Sequence, residues 1–259
     1  MFVDLNVPWP EAGQNAPELK KTLEMLQSFG YDFVAYNHVV PNAKTSFKPN
    51  PIKIDSAQTN TKPSTETLSP LISNAQLDAQ PLRQLTRLTI IADDQNSNYQ
   101  LNNTNPVLNS YDILAIRPTT ERLFQQACQT FDVDIISLDM GSRLPFYMKG
   151  PTVNLAISRG IHFEICYAPA IRDQTARKHL ITNAAALIRL TKGKNVIITS
   201  EAQRAMEVRG PYDVINLGSI FSLNQALAKN CITINLTSNV ATPQQHDDKH
   251  IKASCPQKL

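Results

Sequence analysis

Short runs of β-branched and apolar residues recur along the chain, and each is followed by a stretch whose apolar positions repeat with helical spacing. That alternation predicts a parallel sheet wrapped by helices. The runs place strands near Phe2–Asn6, Phe33–His38, Leu88–Ala92, Ile113–Arg117, Ile135–Leu138, His162–Tyr167 and Val196–Thr199. Seven such strands in 259 residues favour an α/β barrel. An open doubly wound sheet is the alternative, but the glycine-rich turn that would support it is missing after the first strand, where Asn6-Val7-Pro8-Trp9-Pro10 stands instead. The helix over 172–191 has the clearest pattern. Leu180, Ile181, Ala184, Leu187 and Ile188 form one stripe that docks on the barrel, while Lys178, Arg189 and Lys192 share another side with the small residues Thr182 and Ala185.

Two stretches break the pattern. Residues 41–81 are rich in Pro, Asn, Ser, Thr and Lys and read as a polar, mobile insertion between the second and third strands. Residues 239–259 read as a polar tail, leaving 1–238 as a single barrel. His246 and His250 in that tail could bind a metal in principle, and read first as solvated tail residues. The opening MFVDLNVPWP carries Asp4 and no basic lead-in, so it reads as a strand and not a signal peptide, and no run is long enough for a membrane span. Four cysteines without C-x-x-C spacing argue against a zinc knuckle or disulfide framework and fit a reducing compartment.

In a (β/α) barrel, functional side chains sit at the carboxyl ends of the strands, which nominates Asn6, His38, Asp93, Arg117, Asp139, Tyr167 and Glu201 as a rim; any of these can equally be a turn former. Metal-dependent hydrolysis would need several converging His and carboxylate donors, and the first strand ends without a His pair. His38, His162 and His179 each stand without a ligand-spaced partner, and no nucleophile elbow occurs. No catalytic and no metal-binding residue is therefore assigned.

Charge is distributed more tellingly than its total. The net charge is only +3 and the pI about 8.6. Between Arg143 and Arg209, however, eleven basic residues face four acidic ones. Such a basic stretch is the footprint of a polyanion, because cations near phosphates release condensed counterions. The plainer reading is a set of solubilising charges on outer helices. Several of the arginines nonetheless sit in rigid turns, as in Gly141-Ser142-Arg143-Leu144-Pro145 and Arg209-Gly210-Pro211-Tyr212. With few aromatics nearby (Phe146, Tyr147, Tyr212), phosphate and shape recognition is expected over base stacking.

The same stretches resemble the ribonuclease P protein subunit family of the p30 type. They are Phe2-Val3-Asp4-Leu5-Asn6-Val7-Pro8, Asp134-Ile135-Ile136-Ser137-Leu138 running into the Arg143 turn, Arg159-Gly160-Ile161-His162-Phe163-Glu164-Ile165, Tyr167-Ala168-Pro169-Ala170-Ile171-Arg172-Asp173, Lys192-Gly193-Lys194-Asn195-Val196-Ile197-Ile198, and Arg209 through Gly218. The resemblance implies a distorted TIM-type barrel related to the polymerase-and-histidinol-phosphatase (PHP) hydrolases. In those relatives a His-x-His pair ends the first strand, at the positions of Asn6 and Pro8 here. It further implies a non-catalytic RNA-binding subunit, with cleavage of the tRNA 5′ leader done by the catalytic RNA and its Mg²⁺ and no cofactor in this chain. The implied partners are the RNAs of ribonuclease P and RNase MRP and a small ferredoxin-like protein subunit, with no membrane. The implied location is the nucleus and nucleolus. Arg143, Arg172, Lys178, Arg189, Lys192, Lys194, Arg204 and Arg209 are the expected RNA or subunit contacts. A residual metal-dependent phosphoesterase built on His38, Asp93 and Glu201, and a scaffold that touches only protein, remain the alternatives.

Overall fold

The computed structural model describes residues 1–10, 16–41, 51–52, 82–93, 101 and 106–233. The 239–259 tail and all of the 41–81 insertion except Pro41, Pro51 and Ile52 lie outside the described residues. Seven strands, β1 (Val3–Pro8), β2 (Phe33–Pro41), β3 (Arg83–Ala92), β4 (Ile113–Pro118), β5 (Ile135–Ser137), β6 (His162–Cys166) and β7 (Val196–Thr199), are hydrogen-bonded in chain order. Every adjacent pair is parallel. The helices are α1 (Ala16–Ser28), α2 (Glu121–Gln129), α3 (Gly150–Ser158), α4 (Ala168–Arg172), α5 (Gln174–Thr191), α6 (Pro211–Ile220) and α7 (Gln225–Asn230). This is the expected α/β barrel.

Closure between β7 and β1 is irregular. After α7 the chain slips into the seam, where Val3 N–H donates to the Ile232 carbonyl and Ile198 N–H to that of Cys231, both at 3.0 Å. Phe2 bridges Thr233 antiparallel. At the other end, Glu201 N–H reaches the Asn6 carbonyl at 3.1 Å and Ser200 N–H reaches Asp4 Oδ1 at 3.1 Å. The register of β1 against β2 shifts between Asp4 and Val7. Such a bulge re-aims the side chains that follow it.

Period-2 alternation sorts each strand into an inner and an outer face. Val3, Leu5, Phe33, Ala35, Ile113, Ala115 and Ile135 pack together as the barrel filling, and the larger apolar core lies between strands and helices. Helix α5 buries Leu180, Ala184, Leu187 and Ile188 as the spacing predicts, with Ile181 half-buried. Two elements differ from the sequence pattern. The expected 172–191 helix is preceded by a separate short helix, because Asp173 leaves helical geometry and caps α5, its carboxylate accepting from Ala176 N–H at 2.6 Å. Strand β3 begins at Arg83, five residues before the apolar run. Its polar start hides a buried strand whose Arg87 and Thr86 have partners inside the protein.

Candidate nucleic-acid interface

Above the apolar filling, the barrel interior is polar and largely engaged, with Arg117 Nε a buried atom that has no hydrogen-bond partner. Arg87 and Glu164 have no side-chain exposure and form a two-pronged ion pair, with Nη2 to Oε2 at 2.7 Å. Two charges are tolerated out of water because their remaining sites are satisfied. Arg87 also donates to the Leu5 carbonyl at 2.8 Å and to Thr89 Oγ1 at 3.1 Å. Glu164 accepts from Thr199 at 2.9 Å and from Asn6 at 3.3 Å. Burial alone would raise the Glu164 carboxyl, but the Arg87 guanidinium overrides it and holds it down at about 2.

Asn6 cross-links this network. Its oxygen accepts from Asn37 at 2.7 Å, and its nitrogen also points to Cys166 Sγ at 3.4 Å. Asn37 in turn accepts from Thr89 at 2.7 Å. A carbonyl oxygen already used by an amide is a poor cation ligand, and the neighbouring Pro8 side chain offers no donor atom at all. The other rim residues are likewise committed. Arg117 donates to Glu201 at 2.8 Å and to Ser137 at 3.1 Å. Asp139 is a turn former, accepting from Gly141 N–H at 3.2 Å and Ser142 Oγ at 2.8 Å.

The trio His38, Asp93 and Glu201 is not assembled into a site. Strand alternation sends His38 to the face opposite Asn37, where its Nδ1 lies 2.8 Å from the Tyr111 hydroxyl. Glu201 is turned toward Arg117, and Asp93 is exposed. Among the described residues no group of three His, Cys, Asp or Glu side chains is placed to share a metal ion.

The eight candidate cations do not share one face. Arg143 and Arg204 are exposed on connections leaving the carboxyl ends of β5 and β7. The Arg143 turn is pinned by Asn183, which donates to the Met140 and Ser142 carbonyls at 3.0 and 2.8 Å. Phe146, in the same connection, stacks on Phe124 of α2 at 5.0 Å. Arg172 is tied to the buried Glu207 at 3.1 Å. Lys178 and Arg189 lie eleven residues apart on α5, three turns and about 16 Å along its axis, and therefore on the same side. Arg189, Lys192 and Lys194 gather where α5 ends and turns into β7, at the amino end of the barrel. Arg209 is half-buried, its guanidinium donating to the Met206 and Val208 carbonyls at 2.8 Å. Among the described residues, Arg143, Lys178, Arg189, Lys192, Lys194 and Arg204 make no ion pair.

The family model described as RNase P subunit p30 matches residues 1–246. The chain belongs to the RNase P subunit p30 family. Mouse ribonuclease P protein subunit p30 is 40% identical over 235 residues, covering 90% of this chain and 82% of the relative. The Saccharomyces cerevisiae ribonuclease P/MRP protein subunit RPP1 is 30% identical over 228 residues, covering 84% and 72%. Among solved structures, a chain of an archaeal ribonuclease P determined by cryo-EM with mature tRNA superposes with a TM-score of 0.59 at 13% identity, covering 88% of this chain and 86% of that one, which shows the shared fold.

Two residues central to the interior, Glu164 and Arg87, are not among the candidates that the sequence offers. Glu164 stands alone between Phe163 and Ile165, and Arg87 between Thr86 and Leu88. A charge buried in a strand demands an opposite partner, and each of these is the other's. Arg159 has a structural duty, its guanidinium donating to the Ala127, Cys128 and Phe131 carbonyls at and just beyond the carbonyl end of α2.

Proposed function

We propose that this p30-family chain is a non-catalytic protein subunit of ribonuclease P, and of the related RNase MRP particle, that braces the catalytic RNA through its cationic connections. The observation that carries the reading is the pairing of an interior already committed to its own ion pair and amide links with a basic surface in which six cations make no ion pair among the described residues. Removal of the tRNA 5′ leader then belongs to the RNA and its Mg²⁺, with no cofactor in this chain. The family membership and the names of its relatives support both particles as the setting. The same reading places the chain in the nucleus and nucleolus, beside a small ferredoxin-like subunit.

Arg143, Arg204 and Arg209 are the leading phosphate contacts, with Arg172 and Lys178 alongside; Arg189, Lys192 and Lys194, at the amino end of the barrel, form a separate group available to a protein subunit. Charge reversal at Arg143 and Arg209 together should weaken association with the particle RNA. It should also flatten the log–log salt dependence by about 0.9 per lost phosphate contact on duplex RNA, by analogy with DNA. Filter binding across a salt series reads both quantities, and an unchanged slope removes these residues from the interface. Loss of pull-down of a ferredoxin-like protein with RNA binding intact would assign the surface to protein instead.

A further inference from the structure

We propose that the segment from Gln203 to Tyr212, the connection after β7 together with the start of α6, is a preformed seat for an unpaired RNA nucleotide, with Arg204 and Arg209 meeting phosphates and the Tyr212 ring taking the base. This deepens the RNA-contact reading above and rests on it.

The connection is held from several sides. Gln203 N–H donates to Glu207 Oε2 at 2.9 Å, and Arg172 meets the same oxygen at 3.1 Å. Ala205 N–H donates to Glu18 Oε1 of α1 at 3.0 Å. Two buried tyrosines then grip one residue from both sides. Tyr167, just beyond β6, accepts from Arg209 N–H at 3.0 Å, and Tyr31, just ahead of β2, donates to the Arg209 carbonyl at 3.0 Å. The connection is thus tied to α1 and to the chain just ahead of β2 and just beyond β6. Such pre-ordering lowers the entropy lost when a ligand binds.

What this frame exposes is selective. Its acids are consumed inside: Glu201 pairs with Arg117 and Glu207 is buried against Arg172. Arg204 is left exposed and Arg209 half-exposed, so from Glu201 to Tyr212 the charge offered to solvent is cationic; Asp213 follows in the first turn of α6. In the same segment Tyr212 and Met206 stand 69% and 76% exposed. Tyr212 meets Phe2 edge-on at 5.7 Å, which steadies the ring without stacking on it. Cations with an adjacent free aromatic ring form the pattern that takes a backbone and an unstacked base together. A protein partner would equally use Tyr212 and Met206, but the excess of Arg204 and Arg209 over the single exposed acid Asp213 favours a polyanion.

The test uses the full chain and two fluorescent probes, a short oligoadenylate and a blunt RNA duplex. Tyr212→Leu should weaken oligoadenylate binding by about tenfold while leaving duplex binding unchanged, and Tyr212→Phe should retain it. Tyr167→Phe, which keeps the ring but cuts the tie, should weaken oligoadenylate binding several-fold in the wild-type background and not when Arg209 is already alanine. Equal oligoadenylate affinity for Tyr212→Leu and wild type overturns the base seat. If Arg204→Glu still weakens both probes in that case, the broader RNA-contact reading survives it. If neither substitution changes either probe, both readings fail at this segment. Release of a protein subunit from the particle by Tyr212→Leu, with RNA binding intact, gives the surface to protein and also overturns the proposal.

Discussion

Arg87 and Glu164 show what a single side chain can decide in this barrel. Each would be costly to bury alone, and together they replace an apolar layer with a locked one. Glu164→Gln leaves the Arg87 charge unpaired in the interior and should cost about 3–5 kcal/mol in urea unfolding. Replacing both, as Arg87→Met with Glu164→Leu, should recover much of that loss. The carboxyl is held below its usual 4.5, so its contribution is present above that pH and is lost as pH falls through about 2. The stability gap between wild type and Glu164→Gln should therefore be widest near neutral pH and narrow steadily in acid; a gap independent of pH would contradict the assignment. Glu164 was legible as an anomaly, a lone acid inside an apolar strand. Its partner was not, because Arg87 sits among polar residues that look like a loop until the register sets Arg87 beside Asn37.

At the scale of elements, the apolar periodicity predicted all seven strands and the docking face of α5, because burial on one side leaves a repeating mark. It missed where polar residues do the local work, at the Asp173 cap that splits α4 from α5 and at the start of β3. Asp173→Ala should cost about 1 kcal/mol by releasing the Ala176 N–H. Helix α6 offers a test in which helix propensity and packing oppose each other. In an open helix, glycine to alanine gains about 1 kcal/mol, yet a Cβ on Gly218 would lie 2.7 Å from the Ala228 Cβ of α7. Overpacking of that kind costs about 1–3 kcal/mol. Gly218→Ala should thus lower the melting temperature, and a rise would mean that α7 moves aside freely.

Across the whole molecule, the alternation of parallel strands and returning helices sends successive connections to opposite ends of the barrel, so a basic stretch of sequence becomes two separated groups of cations. The order of residues from Arg143 to Arg209 could not reveal this division, because it depends on which connections return. The two groups also differ in what else explains them. Arg189 lies in the last turn of α5 and Lys192 caps it with a left-handed backbone, φ 55°. Cations there complement the negative end of the helix dipole, worth about 0.3–1 kcal/mol each. Arg143 and Arg204 have no such duty, since they sit on connections pinned by other residues. Lys192→Glu should therefore lower stability by about that amount and leave the salt slope of RNA binding nearly unchanged. Arg143→Glu with Arg204→Glu should do the reverse, melting like wild type while each lost phosphate contact removes about 0.9 from the slope. Thermal melts and a salt series on the same two variants separate the roles. A slope that falls equally for both would mean that RNA reaches the amino end as well, and that the particle RNA embraces the barrel instead of resting on one end.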